Sequence, residues 1–145
     1  MDTIDAVEYK KSKAEANAVV YQLQILKKNF NIYSETLADF LGGIAPKSSF
    51  MLYKGTVKSL VSKNSDKLID MFILSALVYE DEILSGDDDF FLGACKGKNV
   101  GKRKEFIEFK TVWNSFDDEN RLQIKLYMKL LCQIARKYFD LKYSA

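Results

Sequence analysis

The chain has 145 residues, 48% of them hydrophobic and including ten Phe and eight Tyr, so it holds one sizeable core and is too short for two ordinary domains. Its single proline and seven glycines leave little material for a disordered or many-turned β architecture, and a charged fraction of 29% is ordinary for a surface facing water. The net charge of +2 argues against a dedicated nucleic-acid binder, and the absence of histidine removes Ser-His-Asp and Cys-His hydrolases, His-ligated zinc and the commonest general base near neutral pH.

The N-terminus, Met1-Asp2-Thr3-Ile4-Asp5, is acidic and lacks a basic region followed by an apolar one, so neither a secretory signal nor a mitochondrial transit peptide is expected. The spacing then predicts a long first helix from about Thr3 to Asn31. Ala14, Ala18, Tyr21 and Ile25 recur at steps of four, three and four, and Val19, Leu23, Leu26 and Phe30 widen the same apolar stripe, while Lys10, Lys11 and Lys13 form a solvated side. Ser34 is placed to cap a short second helix carrying Leu37, Phe40 and Leu41, which Gly42-Gly43 would stop and Pro46 would keep from continuing. A third helix is predicted from about Ser49 to Ser62, softened by Gly55. Asn64 or Ser65 caps a fourth, from Asp66 to about Leu84, with Ile69, Phe72, Ile73, Ala76 and Leu77 in register; its β-branched content also permits a strand. The longest apolar run, Met71 to Tyr79, is shorter than the ~20 residues a bilayer requires, so no membrane span is expected.

Periodicity fails between Ser85 and Arg103. Asp87, Asp88 and Asp89 lead into Phe90-Phe91-Leu92, which is expected to fold back on the core, and a glycine- and lysine-rich stretch follows. Loops of this length are often functional or mobile. Beyond it Phe106, Phe109, Trp113 and Phe116 predict one amphipathic helix, and Ile124, Tyr127, Leu131, Ile134, Tyr138 and Leu141 a second. Asp117-Asp118-Glu119-Asn120 between them is a cap-forming turn, giving a helical hairpin. Cys95 and Cys132 are too few for a disulfide scaffold or a thiolate zinc site and are read as reduced; Cys132 fits a packing position in the last helix. Cys95, beside Lys96 and Lys98, has no histidine to serve as its base.

Three clusters carry charge or motif-like spacing. Glu80, Asp81, Glu82, Asp87, Asp88 and Asp89 are dense in carboxylates, but the EF-hand order of alternate acids, central Gly and terminal Glu is missing, so a solvated acidic surface is expected and no metal. Gly93 to Asn99 fails the P-loop pattern in both its spacing and its final residue, so no nucleotide cofactor is expected. Charge is segregated. Residues 1 to 94 carry ten Lys/Arg against fourteen Asp/Glu, a balance of −4, and residues 95 to 145 carry twelve against six, a balance of +6. Lys96, Lys98, Lys102, Arg103 and Lys104 lie in the loop, and Arg121, Lys125 and Lys129 recur every fourth residue on the last helix. Such a stripe follows a phosphate backbone or meets an acidic protein surface; equally, it is a solvated face with the acidic loop folded over part of it.

Tyr79-Glu80-Asp81-Glu82-Ile83, then Asp87-Asp88-Asp89-Phe90-Phe91-Leu92, Phe109-Lys110-Thr111-Val112-Trp113 and Asn120-Arg121, with Ile124, Tyr127, Leu130, Ala135 and Tyr138 behind them, resemble a pattern in small helical proteins of giant DNA viruses. The resemblance covers roughly the second half of the chain. It departs at Gly93 to Lys102, where an Asn/Asp-rich loop would be more usual. It implies a viral, intracellular origin and a helical fold, and brings no activity, cofactor or catalytic residue.

The expected architecture is therefore an all-α, single-domain bundle of five or six helices spanning residues 1–145, with a long acidic-then-basic loop before the last two helices and the last helix at its centre. The expected function is a non-enzymatic interaction or structural module of the host cytoplasm or virion, neither secreted nor enzymatic, with a viral or host protein as partner. Nucleic-acid binding through the basic stripe and lysine-rich loop is the alternative. The candidate surface comprises Asp87, Asp88, Asp89, Lys96, Lys98, Lys102, Arg103, Lys104, Arg121, Lys125 and Lys129. Periodicity leaves homo-oligomerisation open, because a wide apolar face closes equally on its own domain or on a second copy.

Overall fold

The computed structural model describes residues 3–45, 48–92, 109 and 112–143. These residues form α1 (Thr3–Ile44), α2 (Ser48–Ser62), α3 (Lys67–Ala76), α4 (Glu80–Ser85), α5 (Asp88–Leu92) and α6 (Asp118–Tyr143), with 3-10 turns at Leu77–Tyr79 and Trp113–Ser115. No strand occurs among them, so the all-α class holds and the Phe72 to Leu74 stretch is helical.

The first two predicted helices are one. Ser34 caps nothing; it lies inside α1, buried on a face that also carries Phe30, Leu37, Ala38, Leu41 and Ala45 at helical spacing. Gly42 and Gly43 lie in the last turn of α1, which ends at Ile44, one residue past the predicted stop. A glycine within a helix costs about 0.5–1 kcal/mol, less than the ~1.5–3 kcal/mol gained on burying one side chain such as Leu41, so the last turn still forms.

α2 closes at Asn64 by a defined device. Asn64 takes the left-handed conformation (φ 51°), its N–H donates to the Val61 carbonyl, and the Ser65 N–H donates to the Leu60 carbonyl. Gly86 (φ 71°) closes α4 in the same way. The predicted fourth helix is broken by the 3-10 turn at Leu77–Tyr79. At three residues per turn Leu77 and Tyr79 come about 120° apart rather than about 160°, and both are buried.

Phe90 and Phe91 of α5 plug the core as expected. The helix predicted across Phe106 to Phe116 is absent over its described part. Val112 is a turn, Trp113–Ser115 is 3-10 and Phe116 is extended (ψ 144°). The extended residue lets Asp117 cap α6, its Oδ1 accepting the Asn120 N–H at 2.7 Å. Phe109, Trp113 and Phe116 are nevertheless all buried, so the apolar spacing was that of a packed connection.

α6 is central, burying Ile124, Met128, Leu131, Cys132, Ala135 and Tyr138 and touching α1, α3 and α4. It runs antiparallel to α1: Tyr127 lies against Phe40 (ring centroids 5.9 Å), while Asp140 and Leu141 line one groove together with Gln22, Ile25 and Leu26. Beyond that level α1 continues alone, and residues 7–18 are all exposed.

Candidate interaction surface

The basic stripe of α6 is largely spent inside the molecule. Arg121 donates from Nε to the Trp113 carbonyl and from Nη2 to the Asn114 carbonyl, both at 3.0 Å, tying the 3-10 turn to the helix. Lys125 pairs with Asp88 at 2.6 Å and sits 6.0 Å over the Trp113 ring. The acidic segment is thus folded over part of the basic face. Lys129 is exposed, but on a side of α6 that also exposes Leu122, Leu126 and Leu130, so its surroundings are mixed apolar and cationic. Lys96, Lys98, Lys102, Arg103 and Lys104 lie outside the described residues.

The carboxylates of the acidic cluster are likewise dispersed. Asp87 caps α5, its Oδ1 accepting the Asp89 N–H at 2.9 Å. Asp88 holds Lys125, and Asp89 is exposed. Glu80 accepts Nε and Nη2 of Arg136 at 3.0 and 3.1 Å, a two-point clamp between α4 and α6 that Asp140 extends. The Glu80 hydrogen bond, followed by its charge, raises the pKa of Arg136. Cys132 is buried, and burial first, then the charge of Glu80, pushes its thiol pKa up to about 12. It is therefore a packed thiol rather than a nucleophile. Among the described residues no three His, Cys, Asp or Glu gather where a metal would be held. No helix among them is long and apolar enough to cross a membrane.

What the fold leaves open is a face of α1. Ala14, Ala18, Tyr21 and Ile25 belong to the predicted apolar stripe, but they do not face the core. Nine residues make two and a half helical turns, so a residue nine before a buried one points away from it. Tyr21 (68% exposed) is nine before Phe30 (0%), Ile25 is nine before Ser34, and Ile32 is nine before Leu41. α1 thus has two apolar sides: Leu23, Leu26 and Phe30 turn inward, and Ala18, Tyr21 and Ile25 turn out. Val7 and Ile32 extend the outward side in both directions, and an open groove of about 570 Å³, lined by Gln22, Ile25, Leu26, Lys137, Asp140 and Leu141, flanks it.

Sequence reading missed Val7 and Ile32 because it merged the two sides into one wide stripe. The signal lay in the seven-residue recurrence of Val7, Ala14 and Tyr21 and of Ala18, Ile25 and Ile32. No protein family, no curated protein and no solved structure matches this chain.

Proposed function

We propose that the protein is a non-enzymatic interaction module whose working surface is the outward side of α1. The observation that carries this reading is the exposure of apolar residues along one side of α1, Val7, Ala14, Ala18, Tyr21, Ile25 and Ile32, interrupted by Lys11 and Lys28, while from Leu23 onward the opposite face packs into the core. A helix presented in this way is suited to pairing with another helix or to lying in a partner's groove. The resemblance to small proteins of giant DNA viruses supports a viral setting, with the module acting in the host cytoplasm or virion. Two of the three stripe residues that would meet a nucleic acid, Arg121 and Lys125, are engaged within the fold, and this favours a protein partner over a phosphate backbone.

A photo-crosslinking amino acid placed at Tyr21, and separately at Lys129, tests this reading in cells expressing the full chain. The expected result is a discrete protein adduct from position 21. Nucleic-acid adducts from position 129 with none from position 21 would overturn it and put nucleic-acid binding first.

A further inference from the structure

We infer that the partner of the outward α1 face is a second copy of this chain, the two α1 helices pairing side by side and parallel. The inference rests on the interaction-module reading and names its partner. Its basis is a heptad seam whose six apolar positions match themselves across a two-fold axis, with one complementary charge pair beside it and a lysine at each of the two remaining positions.

Val7, Ala14 and Tyr21 recur at sevens and occupy d positions; Ala18, Ile25 and Ile32 recur at sevens and occupy a positions. Between Val7 and Ile32 the seam runs for about 38 Å at 1.5 Å per residue, three and a half heptads, which is the length at which such a pattern becomes meaningful. Ala14 and Ala18 let two backbones approach closely, while Tyr21 and Ile25 supply bulk in the adjoining layers. Lys11 and Lys28 complete the a and d series. Their aliphatic stems can cover the seam with the ammonium groups in water, and a lysine at an a position lowers stability while restricting register.

The flanking charges choose the partner and the direction. Lys10 falls at g and Glu15 at the following e, the two positions that meet across a parallel pair. A two-fold axis along the seam forms this Lys10 to Glu15 contact twice, once in each sense. In the antiparallel pairing that aligns the same seam, Lys10 would instead face Asn31 and Glu15 would face Gln22, and both charges would go unmatched. Sterics agree. The core residues of α1 lie on its other side from the seam, so the core does not stand between two copies joined there, and α6 comes alongside only at the groove beside Ile25.

Sedimentation equilibrium of the full chain tests the inference, at roughly 10 to 100 µM, where a micromolar dimer is populated. The expected mass is about twice 16.6 kDa, falling to that of one chain in the Ala18→Glu/Ile25→Glu variant. Because both side chains are exposed, that variant should keep the circular dichroism spectrum and the single-chain fold. Lys10→Glu should weaken association by roughly three- to tenfold, and Lys10→Glu/Glu15→Lys should restore it. A wild-type mass of one chain throughout, or a dimer unmoved by Ala18→Glu/Ile25→Glu, would overturn the inference. A one-chain mass accompanied by a Tyr21-position adduct to a different protein would sink self-association alone and leave the interaction-module reading standing.

Discussion

The indole of Trp113 lies flat on the ring of Phe91, with centroids 4.2 Å apart and planes 6° from parallel. Phe109 and Phe116 meet the same indole edge-on, and Phe50 touches both of them, so this cluster joins α2, α5 and the connection into α6. Trp113 is 1% exposed. Trp113→Ala should therefore lower unfolding stability by about 3 to 5 kcal/mol, read as a shift in the urea midpoint. The wild-type tryptophan emission should be blue-shifted and resist quenching by iodide.

Gly43 has nothing within 4 Å of where a Cβ would stand, and it lies in the last turn of α1, one residue before its end. Gly43→Ala should stabilise the protein by up to about 0.5 kcal/mol, raising the urea midpoint, because alanine loses less backbone freedom than glycine even in a last helical turn. No gain would mean that α1 ends before Gly43.

The Asp88 and Lys125 pair fastens α5 to α6, but the carboxylate is half exposed, and exposed pairs contribute little. Asp88→Asn is expected to change global stability by less than about 1 kcal/mol. It should nevertheless speed amide hydrogen exchange across residues 88–92 selectively, leaving α6 protected.

Stability should decline on the alkaline side. Burial raises the thiol of Cys132 from 9.0 to about 12, and burial also raises Tyr53 and Tyr138 above the ordinary 10.0 of a tyrosine. Each group holds its proton more tightly folded than unfolded, so its contribution is complete below the unfolded pKa and is lost as pH rises through the folded one. Thermal melts should accordingly fall from about pH 9 upward, and Cys132→Ala should flatten the first part of that fall. In a Cys95→Ser background, the remaining thiol should label with iodoacetamide only as fast as the protein opens.

Asp39 behaves in the opposite sense. Its contacts with Lys58, through a hydrogen bond first, lower its pKa below the ordinary 3.8. Its contribution is complete above that value and is lost as pH falls through the folded pKa. Asp39→Asn should therefore remove a small part of the acid sensitivity, visible as a shallower decline in melting temperature below about pH 4.

The helical class, the cap at Asp117, the packing of Phe90 and Phe91 and the central place of α6 were all legible in the sequence. Spacing, caps and turn residues act over a few neighbours, and those signals survive folding unchanged. The extent of α1 was not legible. Ser34 is a local signal for a new helix worth about a kilocalorie per mole, and the burial of Leu37, Leu41 and Ala45 outweighs it only once α2 and α6 are in place, whereas the Gly42-Gly43 stop lies within one residue of the observed end. The sequence likewise determined that Arg121 and Lys125 share a helix side, whereas only the tertiary structure decided that Asp88 and the Trp113 turn would engage them. The same division holds for α1. Periodicity established that it is broadly apolar, but a helix cannot declare which of two apolar sides meets the core until its neighbours occupy one, and here they took the side of Phe30 and left that of Tyr21 outside.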